Sequence, residues 1–206
     1  MAQTIRTFIA IPIPDAVAAA IGRLTARLSA EFSGGRWVET EQLHLTLAFL
    51  GDVDQTEVAN LCRVAAESVC DIEAFGLRVA GLGAFPTLKQ PRVLWAGLTG
   101  EALPQLLELH EILIAGLRDA GYRPDDRFSP HITLARFKPG KGAPVDLTDV
   151  PGRFARWMAG DLPVHEVITY SSSPGSQGPE YTPLARTTLI LADQEEDEEG
   201  EADDDF

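Results

Sequence analysis

The chain has 206 residues, 45% of them hydrophobic and 23% charged, the composition of an ordinary globular protein with one sizeable domain or two fused lobes. No apolar run approaches the ~20 residues of a membrane helix, and residues 1–14 lack the basic, apolar and small-residue segments of a secretory leader, so a cytoplasmic location away from membranes is expected. The net charge of −14 is misleading: residues 193–206 (DQEEDEEGEADDDF) hold ten acids and no base, which leaves 21 acidic against 17 basic residues, about −4, for the rest. That tail has almost nothing apolar to bury and repels itself, so disorder is expected there. The body, residues 1–192, is not basic enough to coat nucleic acid; if it handles RNA, it holds an end with local charge.

In chain order, residues 4–11 (TIRTFIAI) are β-branched and aromatic and read as a strand, ended by Pro12 and Pro14. Residues 15–32 place Val17, Ile21, Leu24 and Leu28 at helical spacing, with Asp15 as the N-cap. Gly34 and Gly35 break that helix, and a short extended piece follows at 36–38. Residues 43–50 (LHLTLAFL) read as a strand closed by Gly51-Asp52, and 55–69 as a second amphipathic helix. Residues 75–85 and 92–98 predict a hairpin around Pro86 and Pro91, and 101–120 a third helix with Gly121 at its C-terminus. Residues 130–137 (PHITLARF) form another strand. Residues up to 160 give no clear pattern, and 164–173 and 181–191 predict two last strands. The class is α+β, with antiparallel pairing favoured by the short turns. Cys62 and Cys70 lie more than two turns apart in one helix, too far for a disulfide, and read as buried inert thiols.

One short pattern occurs twice. HLTLAFL begins at His44, and HITLARF begins 87 residues later at His131, which implies two similar lobes. Side chains two apart on a strand share a face, roughly 6.6 Å from each other. His44 and Thr46 therefore point one way while Leu45 and Leu47 point into the core, and His131, Thr133, Ile132 and Leu134 repeat the arrangement. If the lobes pack about a pseudo-twofold axis, two imidazoles and two hydroxyls converge on one cleft.

That set suits a phosphodiester. Its cleavage needs a base for the nucleophile and an acid for the leaving oxygen, and imidazole can do either near neutral pH. The threonine hydroxyls can donate to the non-bridging oxygens. Arg136 points away from His131 by simple alternation, so a bulge has to intervene to bring it in; Arg127, just before the strand, is a second candidate cation. Neither motif contains a carboxylate or thiol to complete a metal site, so no metal or other cofactor is expected. His110 reads as a half-exposed helical residue and His165 as the start of a strand. Of the tryptophans, Trp37 is the one placed to matter, because it precedes the first motif strand.

Paired His-x-Thr-x motifs resemble those of the two-histidine (2H) phosphoesterases. Residues 36–53 (RWVETEQLHLTLAFLGDV) and 127–137 (RFSPHITLARF) look like the two signatures of their RNA 2′,3′-cyclic phosphodiesterase branch, also called 2′-5′ RNA ligases. RTFIAIPIP near the start and YTPLARTTL near residue 189 resemble that branch's ends. The resemblance implies a bilobal, pseudo-symmetric α+β duplication with two antiparallel sheets lining a central cleft and helices outside. It implies His44 as proton donor, His131 as proton acceptor, Thr46, Thr133 and Arg136 on the phosphate, and Phe8 against the base. The expected activity is metal-free hydrolysis of RNA 2′,3′-cyclic ends to 2′-phosphomonoesters, by a monomer that needs no protein partner. Ligation through a 2′-5′ linkage, hydrolysis of small cyclic nucleotides, and a noncatalytic RNA-end binding module are the alternatives.

Overall fold

The β-branched, aromatic run near the N-terminus forms β1 (Thr4–Pro12), whose residues Thr7 to Ile11 are all buried. The structure is a computed structural model that describes residues 3–125, 127–138, 145–175 and 178–191. The acidic tail expected to be disordered lies outside the described residues. After β1 come α1 (Asp15–Glu31), β2 (Gly35–Trp37), a 3-10 turn (Thr40–Gln42), β3 (His44–Asp54) and α2 (Val58–Val69). The chain continues through β4 (Phe75–Pro86), β5 (Pro91–Thr99), α3 (Leu103–Asp119), β6 (Ile132–Phe137) and the short α4 (Val150–Arg153). It ends in β7 (Met158–Val164), β8 (Glu166–Pro174) and β9 (Pro179–Thr188). Among the described residues no helix is long and apolar enough to cross a membrane.

The strands run in the order β7-β4-β5-β6-β3-β1-β8-β9, all neighbours antiparallel, with β2 also paired to β6. Read from the centre outward, the order is symmetric: β6 matches β3, β5 matches β1, β4 matches β8 and β7 matches β9. β1 and β5 begin and end 87 residues apart, the same offset as the two histidine motifs. The two sheets expected from the sequence are joined by one residue pair, Leu45 opposite Ile132. These are the equivalent residues of the two motifs, so the pseudo-twofold axis passes between them. Both are fully buried in the core that the sheet shares with the helices.

Helix formation follows the apolar stripes. α1 buries Val17, Ile21, Leu24 and Leu28, and α3 buries Leu106, Leu109, Leu113 and Leu117. α1 packs behind β7, in the other half of the sheet from β1, while α2 packs on α3 and on β9. Each half is thus covered from behind and leaves one face of the motif strands open.

Several expectations are corrected. Asp15 is the first residue of α1, not its cap, and Pro14 stands at the cap position. α2 begins at Val58 because residues 54–57 form a turn, in which the Asp54 carboxylate accepts from the Thr56 backbone N–H (2.9 Å) and hydroxyl (2.6 Å). β7 carried no readable pattern: Gly160, Asp161 and Pro163 weaken it, and an edge strand tolerates proline. Both cysteines are free as expected, but Cys70, at the end of α2, is exposed.

Truncating the central pair should be costly. Leu45→Ala is expected to lower unfolding stability by about 2–5 kcal/mol. The measurement is a shift of the urea midpoint at unchanged slope; a shift below that of an exposed Leu107→Ala control would contradict the central role of the pair.

Candidate active site

Both histidines stand at the start of their motif strands, one on each side of the Leu45–Ile132 pair. Each ring is fixed in the same way. His44 Nδ1 lies 2.8 Å from the Gln42 carbonyl, and His131 Nδ1 lies 2.6 Å from the Ser129 carbonyl, two residues upstream in both cases. A carbonyl only accepts, so Nδ1 carries the proton and donates it. That sets the tautomer and leaves Nε2 of each ring for the cavity. An aromatic wall backs each imidazole. Phe8 (4.9 Å between centroids) and Tyr181 (5.2 Å) flank His44, while Phe85 (5.1 Å) and Trp95 (6.4 Å) flank His131. Phe8 and Trp95 are equivalent under the 87-residue offset. The Trp95 indole lies against Gly83, where any Cβ would collide with it.

Between the histidines lies a cavity of about 100 Å³, lined by His44, Thr46, His131, Thr133, Arg136 and Arg36, with Trp37, Val38, Gln42, Phe49, Pro179 and Tyr181 completing it. Arg136 reaches it through a bulge. In the pairing with β5, Trp95 faces Thr133 and Leu94 faces Ala135, so Leu134 is the extra residue. One extra residue reverses the alternation, and Thr133 and Arg136 come to share a face. The first motif does the same: Ala10 faces Thr46 and Ile9 faces Ala48, so Leu47 is the extra residue and Phe49 turns into the cleft. Phe49 and Arg136 are therefore equivalent positions with different chemistry. The two bulge carbonyls are also satisfied differently. The Val38 N–H donates to Leu134 (2.9 Å), and His110 Nδ1 lies 3.0 Å from the Leu47 oxygen.

His44, Thr46, His131, Thr133 and Arg136 are thus brought together around one cavity, but three other expectations need correction. Phe8 is only 3% exposed, enclosed by His44, Phe49, Tyr170 and Tyr181, so it has no face left for a base. Trp37, Tyr181 and Phe49, the last 45% exposed, are the aromatics that line the cleft. Arg127 is not part of the lining; its backbone N–H and its guanidinium both donate to the Asp125 carboxylate. His110 is not half exposed but 6% exposed, stacked on Phe128 at 4.0 Å. Sequence reasoning missed Gln42, whose carbonyl holds His44 and whose side chain donates to the Pro179 carbonyl (2.8 Å). It also missed Arg36, Phe49 and Tyr181; all three sit inside the quoted segments, where their facing depends on bulges and cross-strand neighbours.

Electrostatically the site disfavours protonated imidazole. Burial pushes His44 below the ordinary histidine range, the bond to Gln42 opposes that, and the positive charges of Arg136 and His131 push further down. His131 is lowered by burial and by Arg136, against the bond to Ser129. Tyr181 is raised by burial, while Arg136, Arg36 and Arg6 pull it back. Among the described residues no group of three or more His, Cys, Asp or Glu side chains is arranged to hold a metal.

The family described as LigT like Phosphoesterase matches the chain twice in succession, over residues 11–95 and 97–181. A Geobacillus stearothermophilus protein named RNA 2′,3′-cyclic phosphodiesterase is 33% identical over 188 residues, covering 90% of this chain; the chain spans 57% of that relative's length. Among solved structures, TT0787 of Thermus thermophilus is 30% identical with a TM-score of 0.71, covering 89% of this chain and 97% of that one. E. coli LigT complexed with 3′-AMP is 29% identical with a TM-score of 0.70, covering 91% of this chain and 99% of that one.

Replacing Arg136 with Gln removes a positive charge that opposes protonation of both imidazoles. The pKa values of His44 and His131 are therefore expected to rise together in an NMR titration. Unchanged or lowered values at His44 and His131 would contradict this electrostatic assignment.

Proposed function

The chain belongs to the family of LigT like phosphoesterases, and from that premise we propose that it is an RNA 2′,3′-cyclic phosphodiesterase working by general acid-base catalysis without a metal. The observation that carries the reading is the pair of Nε2 atoms, each ring tethered through Nδ1 to a carbonyl, on two sides of one cavity that also presents two threonines and an arginine.

In this proposal the cyclic phosphate sits between the histidines, with the Thr46 and Thr133 hydroxyls donating to its non-bridging oxygens and Arg136 offsetting its charge. His131 Nε2 accepts a proton from water as the water oxygen bonds to phosphorus. The bond from phosphorus to O3′ breaks on the far side, and His44 Nε2–H protonates that oxygen. The product is a 2′-phosphomonoester, and the two histidines end with their protonation states exchanged. Pre-set tautomers would keep both rings aimed without reorganisation, and the pseudo-twofold arrangement of the two histidines supports a base and an acid on opposite sides of phosphorus, as an in-line displacement requires. The same proposal has the protein acting on RNA ends as a monomer in the cytoplasm, in keeping with its two free cysteines.

The test is incubation with a short RNA ending in a 2′,3′-cyclic phosphate. The product is expected to bear a 2′-phosphate and to form undiminished in EDTA. His44→Ala and His131→Ala should each lose about 10²–10⁴-fold in kcat with the fold intact by circular dichroism. A wild-type protein that binds this RNA without turnover would make it a binding module instead, and a zinc-restored loss in chelator would overturn the metal-free chemistry. Because one histidine must be protonated and the other neutral, and both lie below the free value of about 6.5, the bell of kcat/KM against pH is expected to centre below that value. A bell centred at pH 8 would contradict the assignment.

A further inference from the structure

The cleft does not end at the histidines. Arg36 and Pro179 line its outer end and also line a second, wider cavity of about 540 Å³, which adds Arg6, Ser172 and Ser173. The second cavity is of small-molecule size. Its placement follows from the sheet: Arg6 on β1 is paired with Ser172 on β8, which is paired with Tyr181 on β9, so the three form a row across neighbouring strands.

Three arginines cluster here, Arg136 in the first cavity, Arg36 in both and Arg6 in the second. Arg36 stands directly opposite Arg136 across the β2–β6 pairing. Like charges in that relation are unfavourable unless an anion lies between or beside them. Among the described residues no carboxylate is paired with Arg6, Arg36 or Arg136, and unlike the other arginines without an ion pair these three line adjoining cavities. Asp52 faces Arg6 in the β1–β3 register yet does not pair with it. The Arg36 guanidinium lies beside Gly178, close to where a Cβ would stand. The linings order the three arginines from the motif histidines outward, and all three act on the Tyr181 phenol. A body of net charge near −4 thus brings three cations together along two adjoining cavities, with no carboxylate paired to them among the described residues.

We propose that Arg6 and Arg36 form a second phosphate seat, which holds the phosphodiester on the 5′ side of the terminal nucleotide and makes the end of an RNA strand a better substrate than an isolated cyclic mononucleotide. The proposal rests on the function inferred above, since it orients the strand from the cyclic phosphate between the histidines. A strand ending there has its next phosphate one nucleotide away, and the adjoining cavity is where the remaining guanidiniums are. Charge-assisted hydrogen bonds from an arginine fork suit that group.

Three substrates separate the outcomes: 2′,3′-cyclic AMP, the dinucleotide ApA with a 2′,3′-cyclic end, and the same dinucleotide with a neutral methylphosphonate at its internal linkage. Wild type is expected to prefer the charged dinucleotide over the other two by about tenfold or more in kcat/KM. Arg6→Gln should lower kcat/KM for the charged dinucleotide by a similar factor and leave the mononucleotide unchanged. Equal efficiency on all three substrates, or an equal loss on mononucleotide and dinucleotide in Arg6→Gln, would overturn the second seat while leaving the activity standing. If no substrate turns over, the activity fails, and the seat is read by binding instead. Wild type should then hold ApA bearing a 3′-phosphate about tenfold more tightly than Arg6→Gln does, with a salt dependence steeper by about 0.7 in the log–log slope; equal affinities would overturn it.

Discussion

One contact organises this molecule: Leu45 against Ile132, the point where two four-stranded halves become a single sheet. Because these residues are equivalent in the duplicated pattern, the pseudo-twofold axis runs between them. Their immediate neighbours, His44 and His131, are therefore carried to opposite sides of that axis. Neither half builds the cavity alone. The inward turn of two apolar side chains, driven by burial, fixes the separation and mutual orientation of two polar ones.

Symmetry then has to be broken for a chemistry that is not symmetric. Both halves use the same bulge, one residue past the threonine, and both turn the next side chain into the cleft. In one half that side chain is Phe49, an apolar face; in the other it is Arg136, a permanent cation. The bulge carbonyls are held by different donors, His110 from α3 on one side and the Val38 backbone on the other. The shared backbone plan supplies two matched imidazoles, and the unmatched partners give the cleft a charged end and an aromatic end.

The charge distribution extends that logic. Burial and Arg136 together push both histidines below the free imidazole value, while the permanent charge of the site sits on arginines. The arginines continue outward from Arg136 to Arg36 and Arg6, with no carboxylate paired to them among the described residues, in a chain that is acidic in sum. Local cation density, not net charge, is what an anionic end meets.

The sequence alone determined the α+β class, most strands and helices, and the paired motif, because these are written as periodicities and as a literal repeat. It also named His44, His131, Thr46 and Thr133, since residues two apart on a strand share a face wherever the strand lies. What it could not decide was everything that depends on register. Arg136 pointed the wrong way until the bulge at Leu134 reversed the count, and Phe8, well placed by position, turned out to be walled in by Tyr170 and Tyr181 from β8 and β9. Arg127 was spent locally on Asp125. Arg36, Phe49 and Tyr181 entered the site through their cross-strand pairing, and Gln42 through a backbone carbonyl that no side-chain pattern reveals. An extra residue in one strand, and the identity of the strand beside it, are properties of pairing between segments, and no local pattern encodes them.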